Sequence, residues 1–148
     1  NLLDSTKGCP QHDWLFITGG SIGQGMPLAT GAAVACRDRP VLSLSGDGSA
    51  MYTLQSLWTQ AREQLNVTTV IYANRSYAIL HGELRNVGAQ PGKNTRRLFD
   101  LENPHLNWVE MACGMGVDGV RVETAEELHR AMSHGLSTPG PYLIEAIC

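Results

Sequence analysis

No C-x-x-C pair occurs in the sequence: Cys9, Cys36, Cys113 and Cys148 stand far apart, which excludes a cysteine-built zinc site and a small disulfide framework. Basic charge is not in surplus either. There are 11 Lys and Arg against 14 Asp and Glu, for a net charge of −3, whereas an electrostatic binder of nucleic acid or of a membrane surface needs the reverse. No apolar run approaches the ~20 residues of a membrane span, and no basic stretch followed by an apolar core marks a secretory leader. Charged residues make up only 17% and hydrophobic ones 43%, which excludes disorder. What remains is one mildly acidic globular domain in 148 residues, with the cytoplasm as the expected setting for its unpaired thiols.

Glycine, by contrast, is plentiful. There are 16, grouped at 19–31, 46–48 and 114–119, and such grouping predicts places where backbone approaches something closely. Apolar runs alternate with helical patterns. Val41–Ser45, Val67–Ala73, Val120–Val122 and Tyr142–Ile147 read as short buried strands, with Trp14–Thr18 a candidate fifth. Leu54, Leu57, Trp58, Ala61 and Leu65 recur at steps of three and four, the stripe of an amphipathic helix. Thr124 and Glu127 form a capping box ahead of Leu128, Ala131, Met132 and Leu136.

Gly23–Ala35 predicts a helix of small side chains, with Pro27 in its first turn. Its face of Gly25, Ala29, Ala32 and Ala33 is a candidate subunit contact. This order of elements predicts an α/β fold, a parallel sheet with helices on both faces. The organisation expected is a single domain over 1–148, with 1–18 a candidate linker and edge strand. The polar stretch 82–104 reads as an active-site loop holding at most one short helical turn.

Gly46-Asp47-Gly48-Ser49 lies directly after a strand and before a helix, where parallel sheets bind ligands. The dinucleotide fingerprint of a Rossmann-type oxidoreductase competes, but its third glycine would fall at Met51. A carboxylate in that turn repels a diphosphate unless a cation lies between them, so Asp47 asks for a divalent metal. Magnesium takes oxygen ligands, several from phosphate and water, so the protein need give only two or three. Asn74 ends the next strand, and one crossover brings it beside Asp47. Read singly, Asp47 is an N-cap and Asn74 a turn residue; read together, they are metal ligands.

Gly-Asp-Gly-Ser, about 25 residues, then Asn at a strand end resembles the thiamine diphosphate and magnesium motif of the thiamine-diphosphate-dependent enzymes. Upstream, Gly19-Gly-Ser-Ile-Gly-Gln-Gly-Met-Pro-Leu-Ala-Thr-Gly-Ala is similar to the segment preceding that motif in the acetolactate synthase, benzoylformate decarboxylase and pyruvate decarboxylase group. The resemblance runs from about Gly19 to Ala146 and covers only the group's C-terminal domain. It implies that Asp47 and Asn74 give side-chain oxygens to Mg²⁺ and Ser76 its carbonyl, while Gly46 lies in the cofactor loop. Gly48 and Ser49 would bind the diphosphate through N–H groups, and Gly20 would offer its carbonyl to the cofactor's amino group. Ile22 would wedge under the cofactor to hold its bent, reactive form, against the alternative of an ordinary core residue. Tyr77 would close over the diphosphate, against the alternative of plain packing.

Two departures stand out. Ala73 replaces the first Asn of the family's usual Asn-Asn, and Leu80 stands where pyruvate decarboxylases carry a catalytic Glu. Glu83 is the nearest acid to the cofactor loop. His12, His105, His129 and His134 show no metal spacing, and His81 is a candidate substrate contact. Arg85, Arg96 and Arg97 are candidates to steer a carboxylate. The glutamate that activates the cofactor lies, in this family, in a pyrimidine-binding domain that no residue here matches. The implied activity is 2-oxo-acid decarboxylation or carboligation in a homo-oligomer, incomplete without that domain. A catalytically silent regulatory or assembly subunit is the rival.

Overall fold

A computed structural model describes residues 2–148. Four parallel strands form one sheet in the order β1-β2-β4-β3: β1 (Val41–Gly46), β2 (Val67–Ala73), β3 (Asp118–Val122) and β4 (Tyr142–Ile147). Side chains alternate across the pleat, so neighbours in sequence enter different cores. Ile71 and Leu143 pack with Met26, Leu57, Trp108 and Ala112 on one face. Val70, Ile144 and Ala146 pack with Val122 and Ala131 on the other. The near-continuous burial of β2 and β4 is what a parallel strand covered on both sides requires.

The first face carries α2 (Gly25–Ala35), α4 (Ser56–Arg62) and α7 (Trp108–Gly114); the second carries α8 (Ala125–Ser137). The capping box at the start of α8 is present, with Thr124 and Glu127 bonded reciprocally. Pro27 sits in the first turn of α2, as expected. The small residues of α2 divide: Gly25 and Ala32 stay part-exposed, while two turn inward. Ala29 and Ala33 are buried against Leu65 and Val67 of the same chain, because only small side chains let the helix lie this close to β1 and β2. In α4, Leu57 is buried but Trp58 faces solvent, with the Arg62 guanidinium 4.7 Å above its ring. A helix of two turns has room for one inward stripe, and Trp58 lies one step round from it.

Two further expectations fail. Trp14–Thr18 is no strand: residues 12–17 are irregular, and a short 3-10 turn follows at Thr18–Gly20. Leu15, Phe16 and Ile17 are all more than half exposed, and without a neighbouring strand their backbone has no ladder to join. The 82–104 stretch is also not a bare loop. It holds the end of α5 (Ala78–Asn86) and all of α6 (Lys93–Phe99), joined by an edge-to-face contact of His81 on Phe99 with centroids 5.0 Å apart. Neither helix has a buried residue, so neither shows the apolar stripe by which sequence reading finds helices. A short α1 (Leu2–Ser5) opens the chain, and α3 (Asp47–Ala50) follows β1 at once. Among the described residues no helix is long and apolar enough to cross a membrane.

Candidate functional site

Strands β1 and β2 are adjacent, parallel and in register, Gly46 opposite Tyr72. Both therefore release their chains at the same sheet end. Asp47 leaves β1 as the first residue of α3, and Asn74 follows the last residue of β2. Asp47 is only 3% exposed. Its Oδ1 accepts the N–H of Gly48 at 2.8 Å, and its Oδ2 accepts the N–H of Arg75 at 2.6 Å. The carboxylate thus ties the two loops together, and its partner Arg75 is the residue that follows Asn74 in the chain. Asn74 is exposed, and its Oδ1 accepts the Ser76 N–H at 3.0 Å in an Asx turn.

Arg75 bridges these ligand candidates in the left-handed region, at φ 58°. Sequence reading missed it, since nothing marks an arginine for that conformation. The turn is clipped from outside by the last residue of α6 and the chain that follows it. Phe99 carbonyl oxygen accepts from Tyr77 N–H at 2.9 Å and from Ser76 Oγ at 3.2 Å, while Leu101 N–H donates to the Arg75 carbonyl at 2.9 Å. The Tyr77 ring lies against Gly48, so close that a Cβ there would meet two ring carbons at 2.7 Å.

The glycine-rich stretch arrives from the other side. Ser49 Oγ accepts the Gly23 N–H at 3.0 Å, and Thr53 Oγ1 donates to the Gly23 carbonyl at 2.7 Å. Gly23 has φ 88°, and a Cβ on it would lie 2.7 Å from that of Tyr52, so both dihedral and space demand glycine. Gly20 is likewise left-handed, at φ 70°. These contacts hold Ile22 beside the Asp47 loop with 58% of its surface exposed, which removes the ordinary core reading of that residue. Ile22, Ser49, Asp47, Asn74, Ser76 and Tyr77 are brought together. Glu83, Arg85, Arg96 and Arg97 lie out on α5 and α6. His81 is turned onto Phe99.

The donor set can be tested against a cation. A carboxylate buried this deeply calls for a counter-charge, yet Asp47 joins none of the ion pairs among the described residues. Each of its oxygens accepts one N–H and keeps acceptor capacity. A carboxylate, an amide oxygen and main-chain carbonyls are hard ligands that suit Mg²⁺ and not a thiophilic metal. No group of three or more His, Cys, Asp or Glu among the described residues could hold a metal, so a cation here would need oxygens from a bound phosphate or water.

The family described as thiamine pyrophosphate enzyme, C-terminal TPP binding domain, matches residues 6–146. A Mycobacterium tuberculosis protein assigned as acetolactate synthase large subunit IlvX is 53% identical over 99% of this chain and 29% of its own length. Benzoylformate decarboxylase of Pseudomonas aeruginosa is 34% identical over 89% of this chain and 24% of its own. In solved structures, the thiamine diphosphate-dependent 4-hydroxybenzoylformate decarboxylase of Rhodococcus jostii RHA1 superposes with a TM-score of 0.73 at 38% identity. That match covers 84% of this chain and 22% of that one. The chain therefore spans less than a third of the relatives it matches.

Proposed function

This chain belongs to the thiamine pyrophosphate enzymes as their C-terminal TPP binding domain, and from that premise we propose that it binds thiamine diphosphate through Mg²⁺ at the joined ends of β1 and β2. The observation that carries the reading is the buried Asp47 carboxylate, unpaired with any cation among the described residues and bonded to the amide of Arg75, the residue after Asn74. Asp47 and Asn74 would give side-chain oxygens to the metal and Ser76 its carbonyl. The N–H groups of Gly48 and Ser49, in the loop opened by Gly46, would meet the diphosphate. The Gly48 N–H now donates to Asp47 Oδ1, so a carboxylate drawn toward a cation releases that donor for a phosphate oxygen.

Gly20 would offer its carbonyl to the aminopyrimidine, and Ile22 would support the bent cofactor. An exposed isoleucine on a backbone fixed by Ser49 and Thr53 suits that task better than a core one. Tyr77, already packed against Gly48, would cover the diphosphate and exclude water. When bound, thiamine diphosphate supplies the electron sink that lets a 2-oxo acid lose CO₂.

The enzyme in which this domain would act is a 2-oxo-acid decarboxylase or an acetolactate-synthase-like carboligase. A pyrimidine-binding domain or subunit would bring the activating glutamate. Leu80 in place of an acid, and the absence of any acid among the residues gathered here except Asp47, support a proton source outside this chain. Exposed Leu15, Phe16, Ile17, Ile79, Val87 and Leu98 are apolar surface of the kind interfaces cover, which supports a homo-oligomer. Four free, exposed cysteines suit a reducing, cytoplasmic compartment.

The test adds the pyrimidine-binding part of a relative in trans and measures CO₂ release from a 2-oxo acid. Turnover is expected only in the mixture. Ile22→Ala in that mixture should lower kcat far more than it weakens cofactor binding, because it orients while the diphosphate contacts supply affinity. Turnover by the chain alone, or equal losses in both quantities for Ile22→Ala, contradicts the assignment.

A further inference from the structure

Strand β1 is an open edge. The Val41 N–H donates to the Asn66 carbonyl at the start of β2, and backbone groups alternate sides along a strand, so Leu42 and Leu44 turn their N–H groups away from β2. Among the described residues no strand but β2 pairs with β1. Edge strands are commonly blunted by charge or proline, yet Val41-Leu-Ser-Leu-Ser-Gly46 holds neither.

A second unpaired stretch runs alongside. Asp13 Oδ2 lies 2.8 Å from Arg39 Nη1, just before β1, and the Gly23 N–H donates to Ser49 Oγ, just after it. Ten residues separate the two ties on either side, so the chain from Asp13 to Gly23 passes β1 from start to end in the same direction. Residues 13–16 nevertheless enter no backbone–backbone hydrogen bond among the described residues. Trp14-Leu-Phe-Ile17 is strong strand sequence all the same, with Leu15, Phe16 and Ile17 each more than half exposed. Two parallel stretches tied at their ends, whose backbones do not meet, leave a slot between them.

We propose that this slot receives one further β-strand from the part of the enzyme that lies outside this domain, held by main-chain hydrogen bonds to β1 and to residues 13–17. The incoming strand runs parallel, like its neighbours, and is apolar on both faces because it becomes an interior strand. Its source follows from coverage: the chain spans less than a third of the relatives it matches, which leaves most of such an enzyme to supply it. A second copy fits less well, since its own stretch is tied at both ends along its own β1. The inference rests on this chain being one domain of a larger thiamine diphosphate enzyme, but it needs neither cofactor nor metal.

The experiment mixes the full 148-residue chain with the part of the Mycobacterium tuberculosis relative that precedes the matched segment, and follows amide hydrogen exchange without thiamine diphosphate or Mg²⁺. The Leu42 and Leu44 amides should exchange rapidly in the chain alone and about 10-fold or more slowly in the mixture, with new protection at residues 14–17. Ser43 and Ser45, already turned to β2, should change less. Leu42→Pro removes an N–H that the isolated chain does not use, so its unfolding midpoint should stay near wild type while its affinity for the added polypeptide falls about 10-fold or more. Asp13→Ala, which releases only an exposed ion pair, should weaken capture with the midpoint unchanged, and serves where proline disturbs the strand itself. Unchanged exchange at Leu42 and Leu44 overturns the proposal, as does wild-type capture by both variants. Protection that instead grows with the concentration of the chain alone assigns the slot to a second copy and overturns it too. CO₂ release by a mixture without that protection would remove the strand and leave the proposed function standing.

Discussion

Replacing Gly48 by alanine would place a methyl carbon 2.7 Å from two carbons of the Tyr77 ring, inside the ~3.5 Å at which carbon atoms pack. The ring cannot stay where it is. Overpacking of this kind costs about 1–3 kcal/mol, offset by the ~0.5–1 kcal/mol that alanine gains over glycine in a helical turn. The single mutant alone is thus an ambiguous reading. A double-mutant cycle with Tyr77→Ala removes the ambiguity, because the backbone gain enters both arms and cancels while the collision enters one. The coupling energy should equal the collision, about 1–3 kcal/mol. Urea unfolding of the four proteins measures it as shifts in midpoint at constant slope. A coupling below about 0.5 kcal/mol, within the scatter of independent sites, would show that Tyr77 does not rest on Gly48, and the covering role given to Tyr77 would go with it.

Three further outcomes follow from the same packing and charge. Gly119→Ala should destabilise the sheet by at least as much as Gly48→Ala, since its Cβ would meet the Leu143 carbonyl oxygen at 2.8 Å and backbone in a paired strand cannot swing aside; an unchanged urea midpoint would refute this. Thr124→Ala should cost about 1 kcal/mol by removing the cap on α8, read by the same denaturation, and no loss would contradict the capping box as a stabilising feature. The pKa of Glu145 is raised above 4.5 by burial, so its contribution to stability is fully present below that unfolded value and is lost as pH rises through the folded one. Glu127, lowered chiefly by the backbone hydrogen bond from Glu123, acts oppositely, its contribution present above 4.5 and lost as pH falls through its folded pKa. Thermal midpoints across pH should therefore fall less on the alkaline side in Glu145→Gln and less on the acid side in Glu127→Gln than in wild type; parallel curves would refute both assignments.

Much of this molecule was legible before any coordinates. Strands β2 and β4 begin and end where their apolar runs do, because a strand buried on both faces admits little else, and the Thr124–Glu127 box announced α8. The site was legible through spacing: Asp47 and Asn74 lie one helix and one strand apart, and adjacent parallel strands deliver both to one edge. Other features had no local signal. α5 and α6 bury no residue, so no apolar stripe betrays them, and nothing in the small stripe of α2 told Ala29 and Ala33, which meet their own sheet, from Gly25 and Ala32, which stay part-exposed. Arg75 matters through a left-handed backbone that its residue type disfavours. Glu145 did leave a trace, as the one charged letter in Tyr-Leu-Ile-Glu-Ala-Ile, a place where burial and charge conflict and some compensating role is expected.

The account turns on Asp47 serving as a ligand. Calorimetric titration of thiamine diphosphate into the wild-type chain and into Asp47→Ala, each with Mg²⁺ and with a chelator, asks this directly. Wild type should bind only with Mg²⁺. The variant should not bind under either condition, though it keeps its far-ultraviolet spectrum and loses about 1–3 kcal/mol in stability for the two amides left unpaired. Equal affinity in wild type and variant, or wild-type binding undiminished by the chelator, would contradict the account.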